Sequence, residues 1–176
     1  MATLLGISGS LRKASTNTLL LRNAAAIFAA DEFIEADIRF PLYDGDLEAA
    51  EGIPASVQKL ADQIAAADAV IIATPEYNKG ISGSLKNALD WVSRTKGGVW
   101  KGKPLAIMSA TAGRAGGERA QFDLRLSMMA FRPHILQGPE VLVANSGHEF
   151  DENGKLTGES YVKMLTGLMD ELRALT

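Results

Sequence analysis

The chain has 176 residues, of which 47% are hydrophobic, and this is enough for one well-filled core and predicts a single domain over residues 1–176. A formal net charge of −3 argues against broad binding to nucleic acid or to an anionic membrane. The chain has no cysteine and only two histidines, which excludes disulfides, thiolate catalysis and a His- or Cys-rich metal site; with no signal-peptide pattern and no apolar run of transmembrane length, a cytoplasmic protein is expected.

Short apolar runs alternate with longer amphipathic ones along the chain. Five strands are predicted, at Thr3–Ser8, Ile34–Ile38, Ala69–Thr74, Pro104–Ser109 and Glu140–Asn145. Apolar residues at helical spacing follow each strand. This alternation is typical of a parallel sheet with helices on both faces. The predicted fold class is therefore α/β, a flavodoxin-like three-layer sandwich with a five-stranded parallel sheet in the order 2-1-3-4-5.

The helix predicted after the fourth strand is apolar on two sides. One stripe holds Phe122, Leu126 and Met129, and the other holds Leu124, Met128 and Phe131. A helix at the surface of a monomer shows a single apolar face, so this pattern predicts either deep burial or a subunit interface.

Three chemically unusual loops follow the first, third and fourth predicted strands. They are Gly9–Asn17, Pro75–Gly80 and Ala110–Gly117, called here the first, second and third loops. In an open α/β sheet, ligands bind beyond the carboxyl ends of the strands where the strand order reverses. The order 2-1-3-4-5 makes these loops neighbours, which predicts one site built from all three.

The first loop, within "GSLRKASTN", has the composition of a phosphate site. Arg12 supplies a planar charged fork, and a helix predicted to begin near Thr18 directs unpaired backbone N–H groups into the loop. Neither G-x-G-x-x-G nor G-x-x-x-x-G-K-[ST] is present. The alternative is that Thr16 or Asn17 is only a helix N-cap and Arg12 a solvated charge. The polar side chains offered to a phosphate are Ser10, Ser15, Thr16 and Asn17.

The second and third loops suit a planar heterocycle. Tyr77 offers an aromatic face, Asn78 a bidentate amide, and Gly80 close backbone approach. The glycines of the third loop offer backbone donors to the ring edge, and Arg114 and Arg119 offer charge to a second anion. The alternatives are a turn before a helix for the second loop and a flexible connector for the third.

The segments "GSLRKASTN" and "ATPEYNKGISGSLKNALDWVSR", with the Gly-rich loop after the fourth strand, resemble the NADPH-dependent FMN reductase family, which includes quinone, chromate and azo-dye reductases. The resemblance implies a non-covalent FMN, with its phosphate on the first loop, "PEYN" along the isoalloxazine ring and the third loop on the other side of the ring. Thr16 stands where many relatives have an aromatic residue, and Ala14 where they usually have glycine. The cofactor-binding residues it implies are Ser10, Arg12, Ser15, Thr16, Asn17, Pro75, Glu76, Tyr77, Asn78, Ser109, Ala110, Thr111, Gly113 and Gly116.

The resemblance favours an oxidoreductase that passes hydride from NADPH (or NADH) through FMN to a small-molecule electron acceptor. Such chemistry belongs to the flavin and requires no side-chain nucleophile, and the chain offers no catalytic triad. Family members are commonly homodimers or homotetramers, which agrees with the two-sided helix. Two alternatives are a flavodoxin-type FMN electron carrier and a non-flavin hydrolase of phosphosugars or nucleotides.

Overall fold

A six-stranded parallel sheet runs through the centre of the molecule in a computed structural model, which describes residues 2–176. The strand order is β2-β1-β3-β4-β5, and β6 pairs with the later part of β4. The strands are β1 Thr3–Ser8, β2 Glu32–Glu35, β3 Ala69–Thr74, β4 Pro104–Ala110, β5 His134–Ile135 and β6 Val141–Val143.

Helices cover both faces of this sheet. Two of them, α1 and α6, share a hydrophobic cluster with one face, and α3, α4 and α5 share a second cluster with the other face. The predicted three-layer α/β sandwich and its strand order are confirmed. The helices are α1 Thr16–Phe28, α2 Gly45–Glu51, α3 Ala55–Ala66, α4 Gly83–Val92, α5 Glu118–Met128 and α6 Glu159–Arg173.

The central strand β3 shows why the two clusters form. All six of its residues are buried. Ile71 and Ala73 join the cluster under α1 and α6, whereas Val70 and Ile72 join the cluster under α3, α4 and α5. Successive side chains of a strand point to opposite faces, so a continuous apolar run supplies both cores.

The second strand was predicted at Ile34–Ile38 but lies at Glu32–Glu35. Its four residues pair with Thr3–Gly6 of β1, and the ladder ends where the Ala36 N–H donates to the Gly6 carbonyl. Ile38 is only 2% exposed, because it packs into the core without pairing to a strand. The apolar pattern at Ile38 reflects burial in the core. The prediction interpreted this pattern as a strand paired to β1.

The predicted fifth strand, Glu140–Asn145, is also wrong in extent. Two short strands occupy this edge: β5 pairs with the start of β4 and β6 with its end. Pro139 lies between them and has no N–H to donate to a ladder, so the edge cannot continue as one strand. The sheet therefore has six strands rather than five.

The two apolar stripes of α5 have different environments. Leu124 and Met128 are fully buried, whereas Phe122, Leu126 and Met129 are 55%, 68% and 69% exposed. The helix ends at Met128 and continues as a short 3₁₀ turn over Met129–Phe131. One stripe is core, and the other is an apolar surface that this chain leaves open.

The segment that follows β2 is fastened to α4. The Trp91 indole N–H donates to the Pro41 carbonyl at 2.8 Å, and the Tyr43 ring meets Trp91 edge to face with ring centroids 5.0 Å apart. Arg94 bonds Glu48 at 2.9 Å. This hydrogen bond from Arg94 lowers the pKa of the Glu48 carboxyl below its usual value.

We predict that Glu48→Gln removes an acid-sensitive part of the stability. Because the folded-state pKa of Glu48 is lowered, its contribution is present above the unfolded-state pKa and is lost as the pH falls through the folded-state value. The Tm of the wild type should exceed that of E48Q at pH 7, and the gap should close as the pH drops below about 4.3. Calorimetry across this range measures the gap, and a gap that does not change with pH would contradict the assignment.

Candidate active site

The three loops singled out in the sequence lie at one edge of the sheet. Strands β1, β3 and β4 are adjacent, with Ser8 paired to Ala73 and Thr74 paired to Ser109 at their carboxyl ends. The loops that follow these strands therefore leave the sheet side by side. The structure brings together the segments that the sequence placed in one site.

The first loop is fastened at Gly9 to the elements on either side of the second loop, the end of β3 and the start of α4. The Gly9 N–H donates to the Ala73 carbonyl at 2.8 Å, and its own carbonyl accepts the Ser82 hydroxyl at 2.5 Å and the Ser84 hydroxyl at 3.3 Å. A Cβ at this position would lie 3.0 Å from Cδ of Pro75. A larger residue here would press on Pro75, so glycine allows the close approach of the two loops.

Helix α1 begins inside the first loop, at Thr16 rather than near Thr18. Its N-cap is Ser15, whose hydroxyl oxygen accepts the Thr18 N–H at 3.3 Å. The hydroxyls of Thr16 and Ser146 are 3.0 Å apart. The N–H groups of Thr16 and Asn17 belong to the first turn, where an α-helix offers no carbonyl partner. They carry the positive end of the helix dipole, which favours an anion.

Asn17 joins the first loop to the third. Its side-chain N–H donates to the Ala110 carbonyl at 2.9 Å, and its side-chain oxygen accepts the Ala110 N–H at 2.9 Å. The side chain is 3% exposed. The structure thus shows the Asn17 carboxamide engaged with the backbone of β4, and a contact from Asn17 to phosphate stays a prediction.

The tip of the second loop is a tight hairpin turn. Tyr77 and Gly80 exchange two backbone hydrogen bonds of 3.0 Å, and the residues between them, Asn78 and Lys79, have φ values of 50° and 67°. Left-handed backbone at two consecutive non-glycine residues is unfavourable by an estimated ~1–3 kcal/mol each. Such a turn holds the Tyr77 ring outward, where it is 55% exposed and open to a flat ligand.

Glu76 fastens the second loop to helix α5. One oxygen of its carboxylate accepts the N–H groups of Arg119 at 3.1 Å and Ala120 at 3.3 Å. The N-cap of α5 is Gly117, which has no side chain to do this. A carboxylate at a helix N-terminus is favoured by the helix dipole as well as by the two hydrogen bonds.

Asp123 makes a second connection of the same kind. Its carboxylate accepts the Ile81 N–H at 2.8 Å, and a Cβ at Gly80 would lie 2.8 Å from the same oxygen. Sequence reasoning did not single out Asp123, because nothing in the local sequence indicates that this acid of α5 accepts a hydrogen bond from a segment distant along the chain.

The third loop is built on buried polar groups. The Ser109 hydroxyl donates to the Gly116 carbonyl at 2.6 Å, and the Gln121 amide donates to that same hydroxyl and to the Val141 carbonyl, each at 2.9 Å. Gly116 has a φ of 61°, and a Cβ there would lie 2.5 Å from the Leu142 oxygen. Ser109 and Gly116 therefore shape the loop from beneath.

The predicted site residues divide by exposure. Those at least partly open to solvent are Ser10, Arg12, Thr16, Glu76, Tyr77, Asn78, Thr111 and Gly113. Those buried beneath them are Ser15, Asn17, Pro75, Ser109, Ala110 and Gly116. The open set is accessible to solvent, and the buried set lies within the loops.

Ser146 is a site residue that sequence reasoning missed. It is 4% exposed, its N–H donates to the Thr111 carbonyl at 2.9 Å, and its hydroxyl reaches Thr16. It follows β6, far along the chain from both partners. The only sequence signal is its place directly after the predicted strand Glu140–Asn145, which the predicted strand order sets beside the fourth strand.

A cavity of about 260 Å³ lies between the first loop and the residues that follow β2. Arg22 pairs with Glu35 at 2.9 Å, and Arg39 pairs with Asp37 at 3.0 Å. No ion pair is found for the remaining two cations of its lining within residues 2–176. These two, Arg12 and Lys13, give this side of the first loop an excess of positive charge suited to phosphate. The lining cations are Arg12, Lys13, Arg22 and Arg39.

Metal chemistry has no candidate site in residues 2–176, since no three His, Cys, Asp or Glu side chains there are placed to share an ion. In the same residues, no helix has the length and apolar character needed to cross a bilayer.

Comparison with known proteins gives consistent matches over nearly the whole chain. A sequence model described as NADPH-dependent FMN reductase matches residues 2–148. An NAD(P)H-dependent FMN reductase of Pseudomonas aeruginosa is 42% identical over 173 residues, covering 97% of this chain and 91% of that protein. A quinone reductase of Escherichia coli is 38% identical over 165 residues, covering 90% and 87%.

A solved structure agrees with these matches. FerB, a flavoenzyme NAD(P)H:(acceptor) oxidoreductase from Paracoccus denitrificans, superposes with a TM-score of 0.86 at 34% identity. The superposition covers 99% of this chain and 97% of FerB.

We predict that Glu76 fixes the second loop through the N-terminus of α5. Glu76→Ala leaves two N–H groups of α5 without their acceptor and should lower the free energy of unfolding of the flavin-free protein by about 0.5–2 kcal/mol. Glu76→Gln keeps an acceptor oxygen but loses the charge, so its loss should be smaller. Urea unfolding measures both.

Glu118→Gln provides the matched control, because Glu118 is an exposed carboxylate in the first turn of the same helix. A loss of stability in E118Q as large as that in E76A would show that only the charge near α5 matters, and would contradict the role of the two hydrogen bonds.

Proposed function

Because the chain belongs to the NADPH-dependent FMN reductase family, we propose that it uses NADPH or NADH to reduce a quinone or a similar small electron acceptor through FMN held by the three loops. Two features at one edge of the sheet carry the proposal: the first-turn N–H groups of α1 at Thr16 and Asn17, and the exposed ring of Tyr77. The absence of cysteine from the chain is compatible with work in the reducing cytoplasm.

The residues of the first loop fit the phosphate of FMN. The first-turn N–H groups of α1, the hydroxyls of Ser10 and Thr16 and the guanidinium of Arg12 are all donors, and a phosphate dianion accepts hydrogen bonds only. Ser15 contributes indirectly, because its side chain caps the helix that presents those N–H groups.

The residues of the second and third loops fit the ring system of FMN. Tyr77 and Asn78 lie at the exposed tip of the second loop, and Thr111 and Gly113 face solvent from the third. When bound, FMN accepts a hydride from NAD(P)H and passes the electrons to the acceptor. The chain binds and orients the ring and leaves one side open, which suits acceptors of varied shape and requires no nucleophile.

The exposed stripe of α5, formed by Phe122, Leu126 and Met129, supports a homodimer or homotetramer. The three side chains recur at helical spacing, so they form one continuous apolar surface rather than scattered contacts. Continuous apolar surface on a soluble domain is typical of protein interfaces. We infer that this stripe packs against a second copy of the chain.

We predict that the FMN-loaded protein turns over with NADPH and a quinone. Under anaerobic conditions NADPH should bleach the visible flavin absorbance within seconds, and 1,4-benzoquinone should restore it. Steady-state double-reciprocal plots should be parallel, because 176 residues hold one flavin site that the nucleotide and the acceptor occupy in turn. Flavin absorbance that persists with NADPH would instead indicate an electron carrier without its own substrate.

We predict that Arg12→Ala weakens FMN binding by about 1.5–3 kcal/mol, the range for a hydrogen bond to a charged group. This corresponds to roughly a 10- to 150-fold higher Kd, which a titration of flavin fluorescence measures. Arg22→Ala is the control, because Arg22 lines the same cavity but is held by Glu35. An unchanged Kd in R12A would remove Arg12 from the phosphate site.

We predict that Leu126→Glu dissociates the oligomer, because burying an unpaired carboxylate in an apolar interface is strongly unfavourable. Light scattering after gel filtration should give a mass near the 18.7 kDa of one chain for L126E and a multiple of it for the wild type. Leu175→Glu, at an exposed leucine outside the stripe, should leave the mass unchanged. A monomeric wild type would refute the interface.

A further inference from the structure

The side chain of Gln121, on helix α5, is buried and connects three elements beneath the third loop. It is 3% exposed. Its amide nitrogen donates to two acceptors, the Ser109 hydroxyl near the end of β4 and the Val141 carbonyl at the start of β6, each at 2.9 Å. A carboxamide carries two hydrogens on one nitrogen, so this single side chain holds both strands to the helix. The predicted site residues do not include Gln121.

The hydrogen bond from Gln121 determines where the Ser109 hydroxyl points. A serine hydroxyl has one hydrogen to donate, and it rotates freely until its partners fix it. Because the Gln121 amide donates to the hydroxyl oxygen, the hydroxyl hydrogen is directed to the Gly116 carbonyl oxygen, 2.6 Å away. Ser109 is fully buried, so no water can replace a partner that is lost. The chain of hydrogen bonds therefore runs from Gln121 through Ser109 to the returning end of the third loop.

Both ends of the third loop are closely fixed. At the returning end, Gly116 and Gly117 have φ values of 61° and 92°, and a Cβ at Gly117 would lie 2.7 Å from the Ser109 Cβ. At the other end, the Thr111 N–H donates to the Val143 carbonyl at 2.9 Å. The position of the middle of the loop is therefore set by contacts at its two ends, and Ser109 makes one of them.

The middle of the third loop offers a run of free backbone donors. Within residues 2–176, no acceptor is found for the N–H groups of Ala112, Gly113, Arg114 and Ala115. Successive backbone N–H groups in a turn favour negative charge in a ligand. FMN that has taken up a hydride, with two electrons and one proton, carries one more negative charge on its ring than oxidised FMN. Donors held against the ring therefore favour the reduced form and raise the reduction potential.

We propose that Gln121 is a positioning residue that sets the reduction potential of the bound flavin. It acts through Ser109 and Gly116, which hold the free N–H groups of the third loop toward the ring. The inference rests on the proposed function, because it requires the third loop to lie beside FMN. It goes further in giving a buried residue that does not touch the cofactor control over the cofactor's potential.

The reduction potential of the FMN-loaded protein, measured by anaerobic equilibration with a reference dye, tests this role. Gln121→Met keeps the length of the side chain and removes both donors, and Ser109→Ala removes only the hydroxyl. In Q121M the ratio of the Kd of oxidised FMN to the Kd of reduced FMN should fall about tenfold or more, which lowers the potential by about 30 mV or more. S109A should change the potential in the same direction. General structural damage would weaken the binding of both redox forms alike and leave the potential unchanged.

Lys103→Met is the control for a loss of stability alone. Lys103 precedes β4 at the end of the sheet opposite to the three loops, and its ammonium group donates to the carbonyls of Ala65 and Ala67. K103M should lower the Tm of the flavin-free protein, as Q121M should, but it should not change the potential. Unchanged potentials in Q121M and S109A, or an equal fall in K103M, would overturn the inference and leave the proposed function standing. A wild type that binds no FMN would refute both.

Discussion

The hydrogen-bonded pair between the Asn17 carboxamide and the backbone of Ala110 is the contact on which the site depends. It joins the start of α1, the proposed phosphate site, to the end of β4, which leads into the third loop. Both partners are buried. Without Asn17, the N–H and the carbonyl of Ala110 would each lose a partner away from water, so the two loops are held at a fixed separation.

The second loop is attached to the same frame on both sides. Ser82 and Ser84 hold it to Gly9 of the first loop, while Glu76 and Asp123 hold it to the helix that follows the third. The first and third loops are thus joined directly, and the second loop is connected to them through the starts of α4 and α5. A site already held in shape loses less conformational entropy when a ligand binds, which is how a loop-built site achieves affinity.

Much of the fold could be predicted from the sequence because its central strands are fully buried. The runs of β1 and β3 are apolar and short, and their predicted bounds agree with the structure. The edge strands were harder to predict: Ile38 is buried without pairing, and the short strand β5 at His134–Ile135, before Pro139, was missed. The local sequence pattern indicates which side chains are buried, but it does not indicate which backbone groups form hydrogen bonds with a neighbouring strand.

The site was predicted in the same uneven way. The rule that ligands bind beyond the carboxyl ends of the strands located the three loops, but it did not assign tasks within them. Ser15 was grouped with the phosphate donors, and its side chain is the N-cap. Glu76 and Ser146 form hydrogen bonds with residues distant in sequence, and no local motif predicts such contacts.

The most direct test of a site held in shape before its cofactor arrives is hydrogen exchange at the Ala110 amide in the flavin-free protein. That N–H is bonded to Asn17 within the frame described above. If the loops are preformed, it should exchange slowly without FMN, at a rate close to that of the FMN-loaded protein. Rapid exchange that slows only when FMN is added would show that the cofactor assembles the loops, and would contradict this account.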